Sequence, residues 1–303
     1  MTETSRTIGY APEDEEAPEK RWAFWRSDTF QRLMRHKAFV AGAVVFGIVA
    51  IVAILAPWIA PVDPNKLAIR FKFRPPSWEF PFGTDNFGRD QLSRVVYGAR
   101  LSLGIGLGVV ILNTVFGIVV GAAAGYVRRL DGPLMRLADA FMAFPSILLA
   151  LGIAAALGPS SYTAVIAISV VYIPRTARIV RASVLVVREM EFVQAALACG
   201  ASHYRIVRKH VLPNCMAPLI VQLSFIFAYA VLTEAALSFL GLGAAPPTPT
   251  WGNIIAEGST YIREAEWITL IPGIVLALTV LALNLLGDGL RDVLDPRLKV
   301  QQG

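Results

Sequence analysis

The chain has 303 residues, of which 55% are hydrophobic and only 17% are charged, and its mean hydropathy is +0.56. Soluble globular domains carry about 25% charged residues, so this composition excludes that class and indicates a membrane protein. The formal net charge is +6, but most of the Lys and Arg residues lie beside apolar runs. Such residues set membrane topology, and no soluble basic domain is present that would bind nucleic acid.

Two segments precede the first apolar run. Residues 1–19 are acidic and poor in large apolar side chains, which predicts a disordered acidic tail. Residues 20–37 repeat aromatic and aliphatic side chains at three- and four-residue spacing with arginines largely opposite. This pattern predicts an amphipathic cytoplasmic interfacial helix that lies on anionic lipid. A solvated helix that begins the first span remains the alternative for the same residues.

Six apolar runs are each long enough to cross a bilayer core as a helix. No water satisfies backbone groups in that core, so the runs predict an all-α membrane protein, a six-transmembrane-helix bundle. Basic residues concentrate before the first span, between the second and third spans, between the fourth and fifth spans, and after the sixth span. These positions all lie on one side of the membrane, which the positive-inside rule assigns to the cytoplasm, so both termini are expected there. The predicted spans are 38–59, 101–126, 134–157, 162–179, 217–240 and 268–286.

The spans form one domain, 38–290, with an extracytoplasmic loop at 61–96, a cytoplasmic loop at 180–214 and a cytoplasmic tail at 291–303. The loop 61–96 conflicts with the positive-inside rule because it is rich in basic residues, although four acidic residues reduce the conflict. Its basic residues are Lys66, Arg70, Lys72, Arg74, Arg89 and Arg94. Three tryptophans are expected to mark the outer membrane interface, namely Trp58, Trp251 and Trp267.

The loop 180–214 contains a short helical pattern. Residues 191–198 are helix formers without Gly or Pro, which predicts a short helix. Gly200 suits the left-handed position that ends such a helix, and Ser202 suits the cap of a second one. Pro213 is expected to close the unit. Taken alone, the pattern also fits an ordinary amphipathic loop helix.

The same loop resembles the coupling loop of bacterial ABC importer permeases, whose pattern reads E-A-A-x3-G-x9-I-x-L-P. The run QAA at 194–196, Gly200 and the run LP at 212–213 match at the family spacing, whereas Gln194 replaces the acid and His210 replaces the Ile. The resemblance implies that the loop couples the permease to an ATPase. The coupling residues it implies are Glu191, Gln194, Ala195, Ala196, Gly200, Leu212 and Pro213.

Other segments resemble the dipeptide/oligopeptide branch of that family. They are FGTDNFGRD at 82–90, AFPS at 143–146, EAALSFLGLG at 234–243 with PPTPTWG at 246–252, and NLLGDGLRDVLDPR at 284–297. The resemblance covers roughly residues 35–299 and implies the C-type permease subunit of a peptide importer in the bacterial inner membrane. It implies a sister permease, two ATP-binding subunits and an extracytoplasmic substrate-binding protein as partners. The branch also moves glutathione, nickel chelates and opines.

No pattern in the sequence carries catalytic chemistry. Walker A, H-E-x-x-H, C-x-x-C and G-x-S-x-G runs are all absent. The sequence therefore predicts a non-catalytic membrane subunit with no cofactor or metal of its own, and the resemblance implies that ATP and Mg are bound by the partner subunits. A channel or a self-contained secondary transporter is the alternative, and it would be expected to show internal repeats or interrupted helix pairs.

Polar residues inside the spans are further candidates. Glu234 lies well inside the fifth span and is expected either to line the pathway or to hold two helices together. Asn113, Gln222 and Asn284 are expected to form interhelical hydrogen bonds rather than to contact a ligand. Asp139 lies near the inner end of the third span and is expected to pair with Arg136 or a neighbouring arginine.

Glycines recur at four-residue spacing in the second span, which predicts close packing of helix backbones. They are Gly104 and Gly108, followed by Gly117, Gly121 and Gly125.

Overall fold

The computed structural model describes residues 28–60 and 62–294, and these residues are almost entirely helical, with one isolated bridge between Thr84 and Asp90. A 3-10 turn covers Ile69–Phe71 and a π-helical turn covers Val207–Val211. The predicted acidic tail, residues 20–27 of the predicted interfacial helix and residues 295–303 of the predicted tail lie outside the described residues. The α-helices are α1 (Asp28–Arg35), α2 (Lys37–Ile54), α3 (Ala56–Ile59), α4 (Gln91–Tyr126), α5 (Arg128–Met142), α6 (Ser146–Leu157), α7 (Ser161–Arg188), α8 (Glu191–Ala198), α9 (His203–Ile206), α10 (Leu212–Asn214), α11 (Met216–Phe239), α12 (Trp251–Ser259) and α13 (Trp267–Leu294).

Five helices in the described part of the chain are long and apolar enough to cross a membrane: α2, α4, α7, α11 and α13. A sixth crossing forms if α5 and α6 together make one span. The prediction of an all-α membrane bundle is therefore confirmed, with the third span as the exception to a simple six-helix pattern.

The third span is broken rather than continuous. Residues 134–157 were expected to form one helix, but α5 ends at Met142, α6 begins at Ser146, and the two helices are bent by 91°. Pro145 lacks a backbone N–H and disfavours helical geometry at Phe144, so the helix ends before it. The apolar run continues across this proline, which is why hydrophobicity alone did not show the break.

Three other spans extend beyond their expected ends. Helix α4 begins at Gln91 because the Asp90 carboxylate accepts a hydrogen bond from the Ser93 amide at 2.8 Å, which caps the helix. The loop expected at 61–96 therefore ends earlier. Helix α7 passes through Pro174 and continues to Arg188, so part of the expected loop 180–214 is helical. Helix α13 continues to Leu294, into the segment expected as a tail.

Close backbone packing occurs between α4 and α7. A side chain added at Gly121 would lie 2.5 Å from a backbone carbonyl of α7, and additions at Gly117 and Gly125 would also clash with α7. The packing prediction is confirmed for these three glycines. By contrast, nothing lies within 4 Å of an added side chain at Gly104, and at Gly108 the nearest contact is an ordinary 3.4 Å.

The three tryptophans occupy different environments. Trp58 is 77% exposed, as expected of an interfacial residue. Trp251 is completely buried and its Nε1 donates to the Val95 carbonyl at 3.1 Å, so its expected place at the membrane interface is wrong. Trp267 is partly buried and its Nε1 donates to the Thr84 carbonyl at 3.1 Å. Both therefore hold structural elements together.

Candidate functional site

The loop between α7 and α11 carries the coupling residues expected from sequence. Helix α8 covers the expected residues, and Gly200 follows with φ +77°, the left-handed conformation expected of it. The Gly200 amide donates to the Leu197 carbonyl at 2.9 Å. Nothing lies within 4 Å of a side chain added at Gly200, so the backbone of this turn is open to a partner.

One face of this loop is fixed to α7 by apolar packing. Val193 of α8 is buried, as are Ile206 and Val211 in the second half of the loop. They belong to one hydrophobic cluster with Val184 and Val187 near the end of α7. We call this cluster the loop core. Because it joins α8 to the end of a long helix, the loop is packed against the bundle rather than suspended from it.

The opposite face of α8 is exposed. Glu191, Gln194 and Ala195 are exposed, and Ala196 is partly buried. Gln194 Nε2 donates to the Arg188 carbonyl at 2.9 Å and so caps the end of α7. A carboxylate could not donate this hydrogen bond, which gives a physical account of the glutamine in place of the family's acid. Glu191 forms no ion pair within the described residues, so its charge is available to a partner.

The second half of the loop starts as expected but ends differently. Ser202 caps α9 by accepting a hydrogen bond from the Arg205 amide at 3.4 Å. Pro213 does not close the unit. The Leu212 amide donates to the Val207 carbonyl in a π-turn, and Pro213 then lies in the first turn of α10, where no N–H is needed. Leu212 is partly buried and Pro213 is exposed.

One polar contact ties the same loop to α4. Tyr126, at the end of α4, places its hydroxyl 2.8 Å from His203 Nδ1 of α9. A second contact joins the ends of α7 and α4, where Arg188 Nη1 donates to the Gly125 carbonyl at 2.8 Å. The loop therefore contacts both helices of the α4–α7 pair.

Ion pairs connect α5 to α7 near the same end of the bundle. Asp139 pairs with Arg178, and Asp131 pairs with Arg181, whose Nη2 lies 2.6 Å from Asp131 Oδ2. The expectation that Asp139 pairs with an arginine is confirmed, but its partner is Arg178 of α7 and not Arg136. The bent helix pair is thus held to α7 by charge as well as by packing.

Glu234 is completely buried at a junction of helices. Its Oε1 accepts a hydrogen bond from Ser238 at 2.6 Å, one turn further along α11, and its Oε2 forms no hydrogen bond with a described residue. Because this hydrogen bond lies within α11, it does not distinguish the two sequence expectations, a pathway residue or a link between helices.

The three amide side chains differ in their surroundings. Asn113 is buried in α4, and its Oδ1 accepts a hydrogen bond from Thr176 of α7 at 3.3 Å. Gln222 and Asn284 are partly buried, and neither side chain forms a hydrogen bond with another described residue. The interhelical bond expected for these residues is therefore found for Asn113.

A cleft of about 550 Å³ lies between α6, α7, α11, α12 and α13. Its walls are mainly apolar, with a few hydroxyl groups from Ser146, Tyr172, Tyr229 and Thr233. The rings of Tyr172 and Tyr229 are stacked with centroids 6.3 Å apart, and the Tyr172 hydroxyl lies 3.1 Å from Thr233 Oγ1. Sequence reasoning missed this cleft, because its residues come from five helices and no local pattern joins them.

A buried ion cluster, formed by Asp85, Arg89, Arg94 and Glu257, lies where the loop 62–90 meets α4 and α12. Arg94 Nη1 is 2.8 Å from Asp85 Oδ2 and 2.8 Å from Glu257 Oε2, and Arg89 pairs with the same two carboxylates. Burial alone raises the pKa of Glu257, but hydrogen bonds and charges from Arg94 and Arg89 outweigh burial and lower that pKa. Sequence reasoning missed this cluster, although the excess of arginine in the loop was its signal.

Residues 113–300, more than half of the chain, match the family described as the binding-protein-dependent transport system inner membrane component. The chain belongs to this family. Residues 23–76 match the N-terminal transmembrane domain of oligopeptide transport permease C. The resemblance to ABC importer permeases found in the sequence is therefore confirmed.

Curated relatives align with this family member over most of their length. A putative peptide transport system permease of Brucella abortus is 56% identical over 273 residues, which cover 90% of this chain and 92% of the relative. The di/tripeptide permease DppC of Pseudomonas aeruginosa is 46% identical, and the match covers 91% of this chain and 92% of the relative. The dipeptide permease DppC of Escherichia coli is 45% identical, and the match covers 88% of this chain and 91% of the relative.

A solved structure of the MetNI methionine ABC transporter in an inward-facing conformation shares the fold. Its TM-score is 0.55 at 20% sequence identity, and the match covers 67% of this chain and 97% of that chain. Together with the family match, this fold makes the chain a multi-pass membrane permease subunit of a bacterial ABC importer. Such a subunit works with ATP-binding subunits and a substrate-binding protein.

Proposed function

We propose that this subunit moves di- and oligopeptides across the inner membrane, in a pair with a sister permease. Two ATP-binding subunits drive the pair, and an extracytoplasmic binding protein delivers the peptide. ATP and Mg are bound by those partner subunits, and both termini of this chain lie in the cytoplasm. The names of the relatives, which include peptide, dipeptide and di/tripeptide permeases, favour peptides over glutathione, nickel chelates or opines.

The proposal rests on the exposed face of α8, a helix whose opposite face is packed against the end of α7 by the loop core. Small side chains such as Ala195 let a groove in an ATP-binding subunit approach the helix backbone, and Gly200 keeps the following turn open. Closure of the ATP-binding subunits displaces α8. The loop core passes this displacement to α7, a single helix of 28 residues, and the glycine contacts pass it to α4. Packed helices move as rigid bodies, so the bundle changes its orientation.

A self-contained secondary transporter is less well supported. Such proteins have broken helices at corresponding positions in two repeats. Within residues 28–60 and 62–294 one bent helix pair is found, α5 with α6, without a counterpart elsewhere. The exposed coupling face would also have no function in a transporter that uses no ATPase.

Gly200→Trp tests the docking claim, with Gly158→Trp as its matched control. Both glycines have positive φ, +77° and +86°, and both have open space around an added side chain. Both substitutions strain a backbone with positive φ, but only Gly200 lies beside α8. We expect both variants to insert in the membrane, Gly200→Trp to abolish uptake of radiolabelled dialanine, and Gly158→Trp to retain it. Normal uptake by Gly200→Trp would refute docking at this turn, and equal loss in both variants would assign the defect to strain.

A further inference from the structure

The basic residues of the loop 62–96 fall into two groups. Arg89 and Arg94 are buried in the ion cluster and are neutralised there. The remaining four are exposed: Lys66, Arg70, Lys72 and Arg74. Of these, Arg74 lies 3.5 Å from Glu79, and the other three form no ion pair within the part of the chain that the structure describes. The exposed surface of the loop therefore keeps an excess of positive charge.

Aromatic rings fix the positions of these charges. Lys72 Nζ lies 4.8 Å from the centroid of the Phe73 ring, and the Arg74 guanidinium lies 4.7 Å from the centroid of Phe71. Arg70 lies over the Phe71 ring as well, at 5.8 Å. Phe73 in turn packs against Tyr261, with ring centroids 5.1 Å apart. Cations held over aromatic faces are partly ordered before any partner binds.

Large apolar side chains are exposed beside the charges. Trp78 is fully exposed, Ile69 is 71% exposed and Leu67 is 62% exposed. Trp and Arg are the residue types most enriched at the energetically dominant positions of protein interfaces. We call the exposed set Lys66, Leu67, Ile69, Arg70, Lys72 and Trp78 the ridge.

The ridge stands outside the apolar core of the membrane. Helix α4 has 36 residues and is therefore about 54 Å long, whereas a hydrocarbon core is about 30 Å thick. The excess lies at the polar start of α4, where the Gln91 amide donates to the Gly83 carbonyl at 3.0 Å. The Val62 amide also donates to Ser93 Oγ there, at 3.4 Å. The loop is thus attached to the end of α4 that extends beyond the hydrocarbon core. This position favours a protein partner over lipid headgroups.

We propose that the ridge docks an acidic, partly apolar surface of the extracytoplasmic substrate-binding protein. This proposal rests on the proposed function, because that function requires a binding protein on this side of the membrane. The positive charges attract the acidic surface and speed the encounter, and Trp78 with Ile69 supplies apolar contact once the proteins meet.

A charge-reversal variant tests the ridge. The complex is reconstituted in nanodiscs of zwitterionic phosphatidylcholine, and the binding protein of the same system, loaded with dialanine, is titrated onto it. The double variant Arg70→Glu with Lys72→Glu is expected to weaken the affinity roughly tenfold and to reduce its dependence on salt. The matched control, Arg70→Lys with Lys72→Arg, keeps the charges and is expected to bind as the parent does. Trp78→Ala is expected to speed dissociation.

Other outcomes would overturn the assignment. Unchanged affinity in the charge-reversal variant, with ATP-binding subunits still present and ATP hydrolysis intact, would refute the ridge and leave the proposed function standing. Unchanged affinity together with lost binding to phosphatidylglycerol vesicles would assign the ridge to anionic lipid instead. A complex that lacks ATP-binding subunits would overturn the proposed function, and the ridge assignment with it.

Discussion

Removal of Arg94 is expected to destabilise the junction of the loop 62–90 with α4 and α12. Its guanidinium is completely buried and contacts both carboxylates of the ion cluster, with a further contact of 3.2 Å from Nη2 to Glu257 Oε1. Loss of one partner of a buried ion pair costs about 3–5 kcal/mol, because the remaining charge is left buried. In Arg94→Ala both carboxylates still pair with Arg89. We therefore expect a loss of stability at the lower end of this range, about 3 kcal/mol.

The assay is thermal unfolding in detergent in a Cys199→Ser background, followed by a thiol-reactive dye that reports on Cys215, which is 2% exposed. A loss of about 3 kcal/mol lowers the unfolding midpoint by roughly 6–12 °C in a chain of this size. The control is Glu79→Gln, which removes an exposed pair and is expected to change the midpoint little. A midpoint for Arg94→Ala that matches the control would refute the account of the cluster.

Two further predictions concern pH and helix packing. The pKa of Glu257 lies below its ordinary 4.5 in the folded protein, so its stabilising contribution is complete above that value and is lost as the pH falls through the lowered pKa. The unfolding midpoint should therefore fall with acidification in this window. Glu257→Gln should have a lower unfolding midpoint that depends less on pH, and an identical pH dependence of the midpoint in both proteins would contradict this reasoning. Gly121→Leu should separate α4 from α7 and reduce both thermal stability and dialanine uptake, because an added side chain meets a backbone carbonyl at 2.5 Å. Gly104→Leu, which has open space, is the control, and equal stability of the two variants would count against close packing.

Features encoded by a few neighbouring residues could be predicted from the sequence. The extent of α8, the left-handed turn at Gly200 and the cap at Ser202 all depend on residues within one or two helical turns. The effect of Pro213 was predicted wrongly because it depends on the π-turn before it, and sequence gives no direct sign of such a turn.

Features that depend on distant contacts could not be predicted in the same way. The bend at Pro145 lies inside an unbroken apolar run, so hydrophobicity alone does not show where α5 ends and α6 begins. The ion cluster joins Arg94 to Glu257, which lies 163 residues further along the chain. Its only signal was the excess of basic residues in a loop expected outside, and that signal does not identify the partner. The exposed charges of the ridge contributed to the same signal.

Crosslinking from the exposed face of α8 tests the central claim most directly. Ala195→Cys, in a Cys199→Ser background, places a single reactive thiol on the proposed docking face, since Cys215 is buried. The complex is purified gently from its native membrane, treated with a short heterobifunctional reagent that joins a thiol to a nearby lysine amine, and analysed by mass spectrometry. The account predicts a crosslink to an ATP-binding subunit, with a sister permease and two such subunits recovered in near-equal amounts. Recovery of the chain without ATP-binding subunits, or a thiol at position 195 that crosslinks only to other proteins, would contradict it.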